Sequence, residues 1–208
     1  MNLTIENFTS AGGSQAEALL LSGGRNLVSR VTLMSHQDTV QLNDPAYVED
    51  SLIVGDTDFV WGRGPAFFRN TTLRETTGGP FIWARSTSAS HGFVFDRCTF
   101  ETVGEPRTRP FLARNTAAYP DSEVVLLDSR LGAINPIGWM LPDDAPRMRY
   151  WEFASTNIAD GTPADVSTRH ASSRQLTRRD DAETIAHYRD AAFVLGGWTP
   201  PIDTDAAR

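Results

Sequence analysis

Short β-forming segments return along this chain at intervals near 20 residues, and that rhythm constrains the fold more than any other feature. I-E-N-F-T at 5–9, S-R-V-T-L at 29–33, E-D-S-L-I at 49–53 and R-N-T-T-L at 69–73 are followed by D-R-C-T-F at 96–100 and D-S-R-L at 128–131. Aligned on Phe8, Val31, Ser51, Thr71, Cys98 and Arg130, they stand 23, 20, 20, 27 and 32 residues apart. Such steps are too uneven for a strict repeat but suit coils that carry outward loops of variable length, the mark of a solenoid. Near-continuous apolar runs at 18–21, 59–61, 66–68, 81–84, 93–95 and 124–127 agree, because strands in a parallel arrangement are buried on both faces.

Within this rhythm, residues 55–62 read G-D-T-D-F-V-W-G, which predicts a short apolar strand carrying two carboxylates and closed by glycines. Asp58 follows Asp38, in S-H-Q-D-T at 35–39, by 20 residues, and Asp38 follows Gln15 by 23. These equal the first two steps of the repeat in reverse order of reading, so stacked coils would place Gln15, Asp38 and Asp58 in one column on strands about 4.8 Å apart. Two carboxylates that close repel when both ionise; one pKa rises while the other stays low, giving an acid and a nucleophile together. Gln15 and Gln37 add amide donors that can stabilise an oxyanion or can form an internal amide ladder. In isolation each aspartate is equally well explained as a turn residue, and Asp56 as a support for the Gly55 turn.

At 208 residues the chain is long enough for one domain with a real core. Mean hydropathy is −0.32, no apolar run reaches the roughly 20 residues of a membrane span, and the first ten residues lack the pattern of a signal peptide. A single cysteine, Cys98, excludes an internal disulfide and a Cys-based metal cage and suits a small buried hydrophobe. The net charge of −7 argues against a nucleic-acid backbone as partner, although clustered arginines can still outvote the global sign locally. From Pro142 onward prolines and loops dominate, and residues 180–193 predict one helix, with Asp180 and Glu183 as a capping box, Ile185, Tyr188 and Ala192 on one stripe, and Gly196-Gly197 as its stop. The expected organisation is one domain over 1–208, with coils over 1–142 and a tail over 143–208 packed on their outside. A strand beginning at Leu3 leaves no room for a cap over the first coil, so a missing N-terminal portion is expected.

The ordered motifs resemble those of the pectin methylesterases of bacterial type. Q-A-E-A-L (15–19), H-Q-D-T-V (36–40), G-D-T-D-F-V-W-G (55–62) and, more loosely, L-A-R-N-T (112–116) stand where that family has Q-A-V-A-L, Y-Q-D-T-L, G-x-V-D-F-I-F-G and L-G-R-P-W. I-N-P-I-G-W (134–139) and the stretch from Arg169 through Gly197-Trp198-Thr199-Pro200 are similar as well. The resemblance covers the later part of the family domain and implies an all-β, right-handed parallel β-helix acting on methyl-esterified pectin outside the cytoplasm, extracellular or periplasmic, as a monomer, without metal or other cofactor, nucleic acid or membrane. It implies Asp58 as nucleophile, Asp38 as acid then base, Gln15 and Gln37 as oxyanion donors, and Arg114 as the cation that orients Asp58 and meets a galacturonate carboxylate. Trp61 stands where the family has a cleft-lining aromatic.

The chain departs from the pattern at Asn115 and Thr116, which occupy the family's Pro and Trp positions, and at His36 in place of Tyr. A sugar-stacking platform is thereby lost unless Trp83 or Trp139 supplies one, and Trp139 is taken with Trp61 and Arg114 as substrate-binding. Two rivals to pectin hydrolysis stay open: an esterase or thioesterase using the same aspartates on another acyl group, and a non-catalytic β-helix remnant.

Overall fold

The computed structural model describes residues 3–10, 12–104 and 108–201. The chain winds as a parallel β-helix whose every turn contributes one short strand to each of three parallel sheets. Sheet 1 stacks Leu3–Glu6, Val31–Met34, Leu52–Gly55, Thr72–Glu75, Thr99–Thr102, Arg130–Leu131 and Thr156–Asn157. Sheet 2 stacks Leu19–Leu21, Val40–Leu42, Val60–Gly62, Ile82–Ala84, Ala113–Arg114 and Trp139–Met140. Sheet 3 stacks Asn26–Ser29, Ala46–Glu49, Ala66–Arg69, Phe93–Asp96, Glu123–Leu127, Arg149–Phe153 and Arg174–Gln175.

Register turns the sequence pattern into columns of side chains. Leu33, Ile53, Leu73, Phe100 and Leu131 lie level in sheet 1 and point inward. Val40, Val60, Ile82, Ala113 and Trp139 form the matching inward column of sheet 2. Phe68 stacks on Phe95 with ring centroids 4.4 Å apart, and Phe95 meets Phe100 edge to face at 5.3 Å, so the three sheets close on one aromatic-rich core. Each fully buried Phe or Leu there contributes about 1.5–3 kcal/mol through apolar burial.

The recurring segments that look like strands in the sequence are in fact corners. Sheet 3 passes to sheet 1 through one residue in the left-handed region, at Arg30, Asp50, Asn70, Arg97, Asp128 and Ala154, with φ between 47° and 55°. Asn and Asp tolerate that conformation; Arg and Ala hold it against a cost of about 1 kcal/mol or more, set by the strands on either side. The following small residues Ser51, Thr71, Cys98, Ser129 and Ser155 are buried in one file, where Cys98 is the small buried hydrophobe expected. Two ends of the sequence alignment shift: Val31 is level with Leu3, not Phe8, and Cys98 is level with Ser129, not Arg130. Phe8 and Arg130 sit next to loops whose length the residue pattern alone does not fix.

Sheet 3 is buried on both faces because the tail covers it. Its outward residues Tyr47, Phe67, Val94 and Val125 pack with Ile185, Tyr188, Val194 and Trp198 in a second apolar cluster. The expected single helix is two: α1, Ala182–Arg189, and α2, Ala191–Val194. Asp190 breaks them with extended backbone and caps α2 by accepting from the Ala192 N–H. Asp181, not Asp180, precedes α1; it makes no cap bond because its carboxylate accepts from the Thr177 N–H at 2.8 Å and pairs with Arg174. The break shifts the buried stripe from Ala192 to Ala191. Tyr188 fastens α1 to the coils by donating its hydroxyl to the buried carboxylate of Glu123 at 2.8 Å, which also pairs with Arg149 and holds His91 at 3.0 Å.

Candidate active site

The segment predicted as one strand over 55–62 is a corner between sheets 1 and 2. Strands Leu52–Gly55 and Val60–Gly62 flank it, and Asp58 turns it with φ of 50°. One coil earlier Asp38 turns the same corner with φ of 67°, and the register Val40 to Val60 sets the two aspartates level. Both are short polar residues able to occupy the left-handed region. Turn geometry therefore aims the two carboxylates together.

Glycines make the corner possible by close approach. A Cβ at Gly55 would stand 2.2 Å from the Phe59 side chain and 2.7 Å from Thr39 Oγ1. At Gly62, with φ of 144°, it would stand 1.9 Å from the Leu42 carbonyl. From the next coil, the Pro80 carbonyl accepts from the Asp58 N–H at 2.7 Å. The turn leading to Pro80 is organised by Glu75, a fully buried carboxylate that accepts from the backbone N–H groups of Thr77, Gly78 and Gly79 at 2.6, 2.6 and 3.1 Å. Nothing in the residue pattern marks Glu75; only folding brings three amides to one oxygen.

Asp58 is wholly buried and Asp38 is 4 % exposed. Arg114, two coils further on, donates its Nε to both oxygens of Asp58 at 2.8 Å and adds its second terminal nitrogen to one of them. Burial raises the pKa of Asp58, and the hydrogen bonds and charge of Arg114 pull it back. Asp38 has no such partner. Burial, then the charge of Asp58, then that of Glu17 push Asp38 up to about 7, against the pull of Arg85 and Arg114. Its Oδ1 is buried without a hydrogen-bond partner. Because the two carboxylates titrate as a pair, the lowest-energy state with a single charge leaves it on Asp58, beside the guanidinium, and the proton on Asp38.

The glutamines come together differently from the expected column. The Ala16 N–H donates to the Gln37 carbonyl at 3.4 Å, as the Asp38 N–H donates to the Thr57 carbonyl at 3.2 Å, so Gln15 is level with Gln37, and Gln37 with Thr57. Gln15 is thus beside the aspartate column and not in it. The slip is local: the N–H groups of Ala18 and Leu19 both donate to the Thr39 carbonyl, a bulge that restores the pairing of Leu19 with Val40. Among the described residues neither glutamine amide has a hydrogen-bond partner, and the two do not bond to each other. The bulge leaves Glu17 near Asp38, a third carboxylate that the sequence did not single out.

The outward face of sheet 2 supplies the rest of the site. Gln41, Trp61, Trp83, Arg114 and Met140 are level on successive coils. Trp61 and Trp83 are half-buried there, and the Arg114 guanidinium lies 4.0 Å from the Trp83 ring centre. Trp139 is the exception among the expected binding residues. It belongs to the inward column, is fully buried, and packs edge to face on Tyr150 at 5.4 Å; one position along a strand reverses its face. Asn115 is likewise structural, donating to the Ala84 carbonyl and the Tyr150 hydroxyl, while Thr116 is exposed. Asp56 pairs with His36 at 3.4 Å and sits at the rim. Arg85, absent from the sequence reading, lies 3.5 Å from the Trp83 ring centre and 4.5 Å from that of Trp61.

Comparisons with known proteins agree with this architecture. A pectinesterase of Ralstonia nicotianae is 32 % identical over 166 residues, which cover 64 % of this chain and 42 % of that protein; the chain thus spans less than half of that relative's length. The solved pectin methylesterase from carrot superposes with a TM-score of 0.73 at 18 % identity, over 93 % of this chain and 64 % of that one. A pectin methylesterase solved in complex with a hexasaccharide superposes with a TM-score of 0.65 at 21 % identity, over 96 % and 70 %. These two structures share the fold, a parallel β-helix. The profile of the pectinesterases matches residues 1–196, and the chain belongs to the pectinesterase family.

Proposed function

We propose that this chain hydrolyses methyl esters of galacturonan, with Asp58 as nucleophile and Asp38 as acid and then base. The observation that carries the reading is the asymmetry of the pair: one buried aspartate held by Arg114, the other raised to about 7 with a free oxygen. Family membership supports the ester chemistry, and the sheet 2 face beside the pair supports a sugar chain lying across the coils.

In the first half-reaction the Asp58 carboxylate attacks the methyl-ester carbonyl. The carbonyl π pair moves to oxygen, and the amides of Gln15 and Gln37 donate to the oxyanion. Collapse breaks the bond to methoxide, which leaves as methanol with the proton of Asp38, and an anhydride joins Asp58 to the galacturonate. Asp38, now a carboxylate, takes a proton from water as the oxygen attacks the anhydride. Galacturonate departs, Asp58 regains its charge and Asp38 its proton. Arg114 keeps Asp58 ionised and fixed in aim throughout.

Methanol release from highly methylated pectin by the purified 208-residue chain, beside Asp58→Ala with matched circular dichroism, tests this. Turnover that disappears in the variant is expected. A folded wild type that releases no methanol sinks the proposal, and hydrolysis of an acyl thioester by the same protein would then favour the thioesterase rival.

A further inference from the structure

Arg85 is the cation in this cleft that has nothing to hold. Side chains at 83 and 85 leave sheet 2 on the same face, and the Arg85 guanidinium rests 3.5 Å from the Trp83 ring centre, 4.5 Å from Trp61 and 5.6 Å from Tyr119. Among the described residues no carboxylate or carbonyl meets its side chain, and its Nε is buried without a partner. The indole N–H groups of Trp61 and Trp83 are also buried and unpartnered. Arginine and indole can only donate. The cluster is therefore a set of donors without an acceptor, assembled on a protein whose net charge is −7.

Arg114 cannot supply that acceptor's counter-charge, because its guanidinium is already engaged by Asp58. Arg63, one coil before Arg85 at the same strand end, adds positive potential and also lowers the pKa of Arg85. Ring faces that hold a guanidinium flat also present it edge-on, the geometry that binds a carboxylate through two parallel N–H bonds.

We propose that Arg85, seated on Trp83 and Trp61, binds the free carboxylate of an already de-esterified uronate next to the ester under attack, so that the cleft favours partly de-esterified chains. The proposal rests on the esterase reading for its substrate class and names the residue that recognises the product's own charge. Hydrolysis at one sugar then creates the anion that Arg85 holds while the neighbouring ester reaches Asp58.

The test is tryptophan fluorescence titration of the whole chain with tetragalacturonate and with its fully methyl-esterified form, in wild type, Arg85→Gln and Arg85→Lys, each checked for an unchanged melting temperature. Wild type is expected to bind the anionic tetramer more tightly. Arg85→Gln loses about tenfold on it and less on the esterified tetramer, and Arg85→Lys recovers part of the loss. The ratio of kcat/KM on partly and on fully methylated pectin falls in Arg85→Gln. Equal losses on both tetramers, no loss on the anionic one, or no binding of it by wild type would overturn the proposal. Arg85-dependent binding of tetragalacturonate by a chain that releases no methanol would leave this inference standing and remove the esterase reading instead.

Discussion

Arg114 holds Asp58 across two coils of the solenoid, its Nε 2.8 Å from both carboxylate oxygens although 56 residues separate the two. Stacked strands about 4.8 Å apart make this a span of roughly 10 Å, which an extended arginine covers and a shorter side chain does not. Arg114→Lys places one ammonium where a planar fork stood, and kcat on methylated pectin is expected to fall about 100-fold with little change in KM. Steady-state methanol assays decide; a kcat within threefold of wild type would show that the fork does not set the nucleophile.

Asp38 links activity to pH. With its pKa at about 7, the protonated acid needed for methanol departure is titrated away above neutrality, so kcat/KM is expected to decline along an alkaline limb with an apparent pKa near 7. Stability follows the same group. The folded protein retains a proton that the unfolded chain releases above about pH 4, so stabilisation from this proton is complete below that pH and is lost as pH rises through 7. Melting curves from pH 4 to 8 should show wild type losing ground to Asp38→Asn at up to about 1.4 kcal/mol per pH unit. A constant difference between the two would place the pKa of Asp38 at its ordinary value.

Glu75 touches no reacting atom and is expected to matter because it gathers the N–H groups of Thr77, Gly78 and Gly79 ahead of Pro80, whose carbonyl accepts from Asp58. Glu75→Ala leaves these amides without their acceptor and should cost about 2–4 kcal/mol in urea denaturation. Glu75→Gln retains one oxygen and should recover part of that. Equal stability of Glu75→Ala and wild type would mean the turn is held by other contacts.

The two tryptophans separate core from cleft. Trp139→Ala opens a cavity between sheets and is expected to cost about 3–5 kcal/mol, whereas Trp61→Ala, on the outward face, should weaken binding of oligogalacturonate with under about 1.5 kcal/mol of destabilisation. The reverse pattern would return Trp139 to the cleft.

How much of this was legible in the sequence depends on what each feature rests on. The 20-residue spacing of Asp38 and Asp58 survives folding because no loop intervenes between those coils, so counting residues suffices. The 23-residue spacing of Gln15 and Asp38 does not, because a bulge at Ala18 and Leu19 absorbs the difference. Apolar runs located the sheets, yet the repeated motifs marked their corners, since Asn, Asp and Ser gather wherever the backbone must enter the left-handed region. Trp139 and Trp61 are chemically alike, and only strand register assigns one inward and one outward. The paired aspartates were read from order and motif; Arg85, Glu75 and Glu17 act through neighbours from other coils, which no local pattern reveals.

The bond from Tyr188 to Glu123 reaches beyond the tail itself. A solenoid whose coils touch only adjacent coils can fray from its ends one layer at a time. Here a residue near the end of the chain is tied to a strand 65 positions earlier, together with His91 of a still earlier turn and Arg149 of a later one. Opening the last layers therefore requires releasing a contact that spans several, and what would be gradual unravelling becomes a more concerted event.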